Sequence, residues 1–115
     1  MAFKPKEFVV GYSEEFQEMI DNKDFRISES IVEGIFANLN SKKNNIHLLS
    51  IICEDEGVEY DITIEKKHFA ETLEENLVHY VREERYEDCQ KIADTISMLK
   101  KEHLGSLIQT VSGSK

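Results

Sequence analysis

Apolar positions recur along this chain with two different periods, and the changes of period mark out its elements. Phe8, Val9 and Val10 form a brief apolar run closed by Gly11, which predicts a short strand after a loose tail over residues 1–7. Ser13 stands where an N-cap belongs, and Glu14 and Glu15 follow where carboxylates favour the positive end of a helix. That helix carries Phe16, Met19 and Ile20 on one face and ends at the polar break Asp21, Asn22, Lys23, Asp24. A second helix begins near Ser28. Its apolar residues Ile31, Val32, Ile35, Phe36 and Leu39 form one stripe at helical period. Gly34 lies inside this helix and costs it about 1 kcal/mol relative to alanine, so a close neighbour is the natural reason for it. The polar run over residues 40–45 has turn composition and closes the helix.

Residues 46–53 are short, apolar and rich in isoleucine and leucine. Residues 58–64 alternate cleanly, with Val58, Tyr60, Ile62 and Ile64 to one side and Glu59, Asp61 and Thr63 to the other, the pattern of a half-buried strand. Between them Gly57 supplies the positive φ of a tight turn, so the two runs read as an antiparallel hairpin. A hairpin alone is marginal and needs helices, the strand at Phe8, or another chain to complete it. A third helix starts within residues 65–68, with Phe69, Leu73, Leu77, Tyr80 and Val81 as its inward set. A fourth carries Tyr86, Cys89, Ile92, Ala93, Ile96 and Leu99, stepping by three or four like the seam of a helix pair. Only Glu84 and Arg85 lie clearly between these two helices, and Leu104, Leu107 and Ile108 prolong the apolar stripe past Gly105. The expected fold class is α+β: one small domain over residues 1–115, an antiparallel β-hairpin packed against helices and ending in a two-helix antiparallel hairpin over residues 66–104. Residues 1–7 and 109–115 are expected to fray.

Composition narrows the function. With 115 residues, 40% of them hydrophobic, the chain has material for a modest core. Its net charge of −9 sets it against direct nucleic-acid or anionic-membrane binding. Cys53 and Cys89 have no CxxC partner, and the first residues lack the apolar run of a secretory leader, which points to a reducing cytoplasmic setting. Cys89 reads as a buried small residue rather than a redox switch.

Chemistry is sparse. His47, His68, His79 and His103 show no ligand spacing among themselves or with the cysteines, so no metal site and no cofactor are expected. His79 with Glu83 reads as a mild helix-surface pair rather than an acid–base couple. Glu54, Asp55, Glu56, Glu59 and Asp61 crowd one hairpin. They read first as solvated charges that deter edge pairing; a nucleic-acid-mimicking inhibitor of a DNA- or RNA-binding enzyme is the alternative, and a small metal-dependent hydrolase the second alternative. No phosphate-binding loop, dinucleotide glycine pattern or nucleophile elbow occurs, and no catalytic residue is assigned.

The run from Leu73 to Leu99 resembles the UVR motif, the small helical hairpin at the C-terminus of the excision-repair helicase subunit UvrB. The motif occurs also in the nuclease UvrC, in Clp-type chaperone ATPases and in small regulators of protein-arginine kinase. Tyr86 and Glu87 match its aromatic–Glu step, Ile92 its aliphatic, Asp94 its aspartate, and Ile96 and Leu99 its closing apolar pair. Leu77 and Val81 fall where its first helix is apolar. Gln90 stands at the second small position and Ala93 at the arginine. The resemblance implies protein–protein contact without catalysis, either with another protein or with a second copy as a homodimer. It makes Leu77, Val81, Tyr86, Glu87, Ile92, Asp94, Ile96 and Leu99 the candidate partner-binding residues of an adaptor or regulator from a bacterium or phage. By spacing alone, Tyr86 reads as the residue that closes the hairpin turn in preference to a partner anchor.

Overall fold

The chain forms four α-helices and a three-stranded sheet, an α+β fold. The structure is a computed structural model that describes residues 3–113, with side chains described for residues 3–102. It divides into two compact units, Met1–His68 and Phe69–Lys115.

In the first unit β1 (Lys6–Val10) leads through α1 (Ser13–Asp21) and α2 (Phe25–Ala37) to β2 (Asn45–Cys53), which turns into β3 (Val58–Glu65). The strands lie in the order β1-β2-β3; β1 runs parallel to β2, and β2 pairs antiparallel with β3. The hairpin is thus completed by the Phe8 segment, which takes in Lys6 and Glu7 as well, so the expected loose tail is shorter than residues 1–7. Helix α1 packs on β1 and α2 on β2. Phe8, Leu49, Ile51 and Cys53 form the buried centre, with Val10, Phe16, Met19, Ile27 and Ile31 packed on it. The Phe8 and Phe16 rings meet edge to face with centroids 6.1 Å apart.

Strand β2 carries a bulge between His47 and Leu49, where the pairing with β3 shifts by one residue. Both leucines beside it, Leu48 and Leu49, are buried as a result. Leu48 explains Gly34. A methyl group on Gly34 would lie 2.7 Å from Leu48 Cδ2, so any larger residue there would have to displace the Leu48 side chain.

Several boundaries differ from expectation. Ser13 is the first residue of α1 and not its cap; Tyr12 takes that place with extended backbone and no capping side chain. The Ser13 N–H donates instead to the Glu56 carboxylate, which the β2–β3 turn brings from 43 residues away. Part of the acidic turn therefore serves as a remote cap on the positive end of α1. Ile20 is 48% exposed, off the inward face. Helix α2 starts earlier than Ser28, at Phe25, because Asp24 caps it: its side chain accepts from the Arg26 backbone N–H. The Arg26 guanidinium also bonds that carboxylate at 2.7 Å and holds its pKa below the usual carboxylate value. Leu39 lies beyond the end of α2.

Strand β3 departs most from its expected role as a half-buried strand. Val58, Tyr60 and Ile62 are all exposed, and only Ile64 is half-buried. Clean alternation marks which residues share a face; it does not say whether anything covers that face. The helices of this unit lie mainly over β1 and β2. At the turn, Gly57 has φ +67, as its position between the strands requires.

In the second unit α3 (Phe69–Arg82) and α4 (Tyr86–Gly113) pack on each other, preceded by a short 3₁₀ turn at Lys66–His68. Phe69, Leu73, Tyr80, Ile92 and Ile96 are buried, and buried Asn76 donates to the Thr72 carbonyl one turn back. A Lys100–Glu74 ion pair joins the two helices. The α4 backbone is helical through Gly113, beyond the expected fraying point; Ser114 and Lys115, the side chains of Leu104, Leu107 and Ile108, and Met1 of the N-terminal tail lie outside the described residues.

The ends of α1 and α3 repeat one device. Asp24 N–H donates to the Met19 carbonyl and Lys23 N–H to that of Ile20; likewise Arg85 N–H donates to Tyr80 and Glu84 N–H to Val81. These are paired Schellman bonds, and the residue that makes the reversal is left-handed in both: Lys23 at φ 56 and Glu84 at φ 58. Neither is glycine, so each carries a Cβ in a conformation that disfavours one. Lys23→Gly and Glu84→Gly are each expected to raise stability by about 0.5–1 kcal/mol, read as a higher denaturation midpoint at unchanged slope. A lowered midpoint in both would contradict the left-handed assignment.

Candidate functional site

Two places concentrate chemistry or exposed apolar surface. The first is on the face of the sheet opposite the Phe8–Leu49–Ile51 core. Residues three apart in a regular strand point to opposite faces, but the bulge at Leu48 turns His47 and Ser50 to the same one. Ser50 pairs across the ladder with Asp61. The three side chains meet: Ser50 Oγ lies 2.8 Å from His47 Nε2 and donates to Asp61 Oδ1 at 2.8 Å. His47 Nε2 lies 3.5 Å from Asp61 Oδ1 and 3.1 Å from the Leu49 carbonyl oxygen.

A serine, a histidine and an aspartate in contact invite comparison with a nucleophilic triad, and the geometry argues against it. A carbonyl oxygen only accepts, so Nε2 facing Leu49 carries its proton. The Ser50 hydrogen goes to Asp61. The imidazole is therefore no base toward Ser50, and Asp61 does not orient the ring from its far nitrogen as a triad acid must. Ser50 is also buried, with no access for a substrate. The cluster is a clasp: it satisfies a buried hydroxyl and ties β2 to β3 beside the bulge. Sequence reasoning missed it. The available signal was two polar residues, His47 and Ser50, three apart within a period-two strand.

The second place is the C-terminal hairpin. Its turn holds three residues, Glu83, Glu84 and Arg85, one more than expected. Arg85 organises it, with its guanidinium 5.8 Å from the Tyr80 ring centroid and 2.8 Å from the Asp88 carboxylate. Tyr80, not Tyr86, is thus the buried aromatic at the turn; Tyr86 is 64% exposed and does not close the hairpin. Of the eight candidate partner-binding residues, Ile92 and Ile96 are buried, Leu77 and Leu99 half-buried, and Val81, Tyr86, Glu87 and Asp94 exposed. Val81 points away from the inward set to which its spacing assigned it. Val78, one turn earlier on α3, is 67% exposed and was missed, because a valine among polar residues looks like a solitary surface position. Asp94 accepts from Gln90 one turn back on the same helix.

The remaining candidates carry less. Cys53 is fully buried, and burial first, then Glu56, Glu14 and Glu15, push its thiol up from the ordinary value. That is the opposite of an activated cysteine. Cys89 is half-buried. Among the described residues no three His, Cys, Asp or Glu side chains are grouped to hold a metal ion, and no helix is long and apolar enough to cross a membrane. Comparison with protein-family models, curated proteins and solved structures finds no match to this chain.

Proposed function

We propose that this protein is a non-catalytic interaction module that binds another protein, or a second copy of itself, through the outer surface of its C-terminal helical hairpin. The observation that carries this reading is that three large apolar side chains of this hairpin, Val78, Val81 and Tyr86, are each more than half exposed. Apolar surface of this kind is stabilised by a covering partner at roughly 25 cal/mol for each Å² removed from water. Tyr86 suits such a contact, with a broad ring and a polar tip. The UVR-like pattern supports the same reading, since hairpins of that motif pair with one another or dock on other proteins. In this chain Ile92 and Ile96 hold the hairpin in shape, while Tyr86, Glu87 and Asp94 stand on its surface. The nucleic-acid mimic has less support, because Glu56 is engaged at the start of α1.

The test pairs light scattering of the free protein with capture from a bacterial lysate on immobilised protein. Val81→Asp with Tyr86→Ala is expected to leave the fold intact, since both positions are exposed, and to abolish the dimer or the captured partner. Undiminished capture or dimerisation by that folded variant would reject the proposal, as would a wild-type monomer that captures nothing.

A further inference from the structure

Strand β3 is an edge strand eight residues long, and its two rows of side chains differ sharply in chemistry. On one face stand Val58, Tyr60 and Ile62, exposed by 39%, 48% and 37%. On the other stand Glu59, Asp61 and Thr63, all exposed. An edge strand offers unpaired backbone donors and acceptors along its outer side, and native chains usually blunt such edges with charged side chains, above all lysine, with proline or with a bulge. Here the bulge lies in β2, and β3 has neither lysine nor proline within Val58–Glu65. The edge is long and apolar on one side, and its only charges are the carboxylates of Glu59, Asp61 and Glu65, which deter an acidic strand and leave the edge open to a basic one.

We infer that β3 receives an extended segment of another protein as a fourth strand, a segment in which apolar residues alternate with lysine or arginine. The alternation follows from period two: the added strand lays one row beside Val58, Tyr60 and Ile62 and the other beside Glu59 and Asp61. The sign of the charged row follows from those carboxylates and from the acidic turn Glu54, Asp55, Glu56 at the start of the strand.

The same rows select against a second copy of this chain. Antiparallel self-pairing keeps like faces together in only a few registers. Centred on Asp61 it sets Asp61 against its copy; centred on Tyr60 it sets Glu59 against Asp61; centred on Ile62 it sets Glu59 against Glu65. Each register opposes carboxylates across the pair, and parallel in-register pairing does so at every acidic position. The residues of this site are different from those of the α3–α4 proposal, so its success or failure is independent of that reading.

The test uses the full chain labelled for NMR and a blocked octapeptide of alternating valine and lysine, with an octapeptide of alternating valine and glutamate as control. The lysine peptide is expected to bind saturably, to shift resonances and slow amide exchange within Val58–Glu65, and to weaken several-fold between about 50 mM and about 500 mM salt. Tyr60→Lys with Ile62→Lys should weaken that binding at least about tenfold, since lysine on the edge restores the usual blunting. Glu59→Lys is a second variant at an exposed site and should weaken it several-fold if the double variant does not fold. Equal binding of the glutamate peptide, no binding of the lysine peptide, or shifts that map outside β3 would each overturn the inference. So would a homodimer of the free chain that the β3 variants dissolve.

Discussion

Replacing Ile92 with alanine is expected to destabilise the C-terminal hairpin by about 2–5 kcal/mol, the range for removing a large buried aliphatic side chain. Ile92 is fully buried, and the described large buried residues of its unit are few: Phe69, Leu73, Tyr80 and Ile96 beside it. A small core has little capacity to repack around a void, which places the effect toward the upper part of that range. Ile92→Val, which removes one methylene, should cost only about 0.5–1.5 kcal/mol. Tyr86→Ala should change stability by no more than about 0.5 kcal/mol, because its ring is 64% exposed. The measurement is denaturant unfolding together with amide exchange of α3 and α4, so that local opening of the hairpin is seen even if the first unit holds. A Tyr86 effect larger than the Ile92 effect would reverse the inward and outward assignment of the whole helix. The contrast also separates two of the candidate partner-binding residues: Ile92 is buried, and Tyr86 is exposed.

The second large effect is at the contact between α2 and the bulge. Leu48→Ala should cost about 2–5 kcal/mol, since Leu48 is buried. Gly34→Ala has two opposed terms. Alanine favours the helix by about 1 kcal/mol. Its methyl, however, would stand 2.7 Å from Leu48 Cδ2, so the buried Leu48 side chain must give way. Overpacking of this kind costs about 1–3 kcal/mol, and a net loss is expected. The two substitutions should not add. Truncating Leu48 clears the room that the new methyl needs, so the double variant should lose less than the sum, with a coupling of about 0.5–3 kcal/mol. Additive losses would mean that Gly34 is present for some reason other than Leu48.

Much of this architecture was legible in the residues. Period-two alternation located β3 and its faces, and the three–four steps located α3 and α4. The turn chemistry of Gly57 set the hairpin. What local pattern could not express was distance in space. Glu56 caps α1 from across the unit, so no reading of the residues around Ser13 could name it. Lys23 and Glu84 occupy left-handed positions where glycine is the usual signal, so both helix ends looked unremarkable. His47, Ser50 and Asp61 came together only because a bulge changed the phase of β2.

The sequence by itself determined the α+β class, the helical hairpin and the antiparallel pairing of β2 with β3, because these follow from backbone periodicity and turn residues. The tertiary structure alone decided which stripes are covered. It buried Ile92 and Ile96, left Val81 and Tyr86 outward, and put α1 and α2 over β1 and β2, leaving the apolar row of β3 exposed. Periodicity assigns side chains to a face. Whether that face becomes core or contact surface depends on what packs against it, and that is a property of the assembled fold.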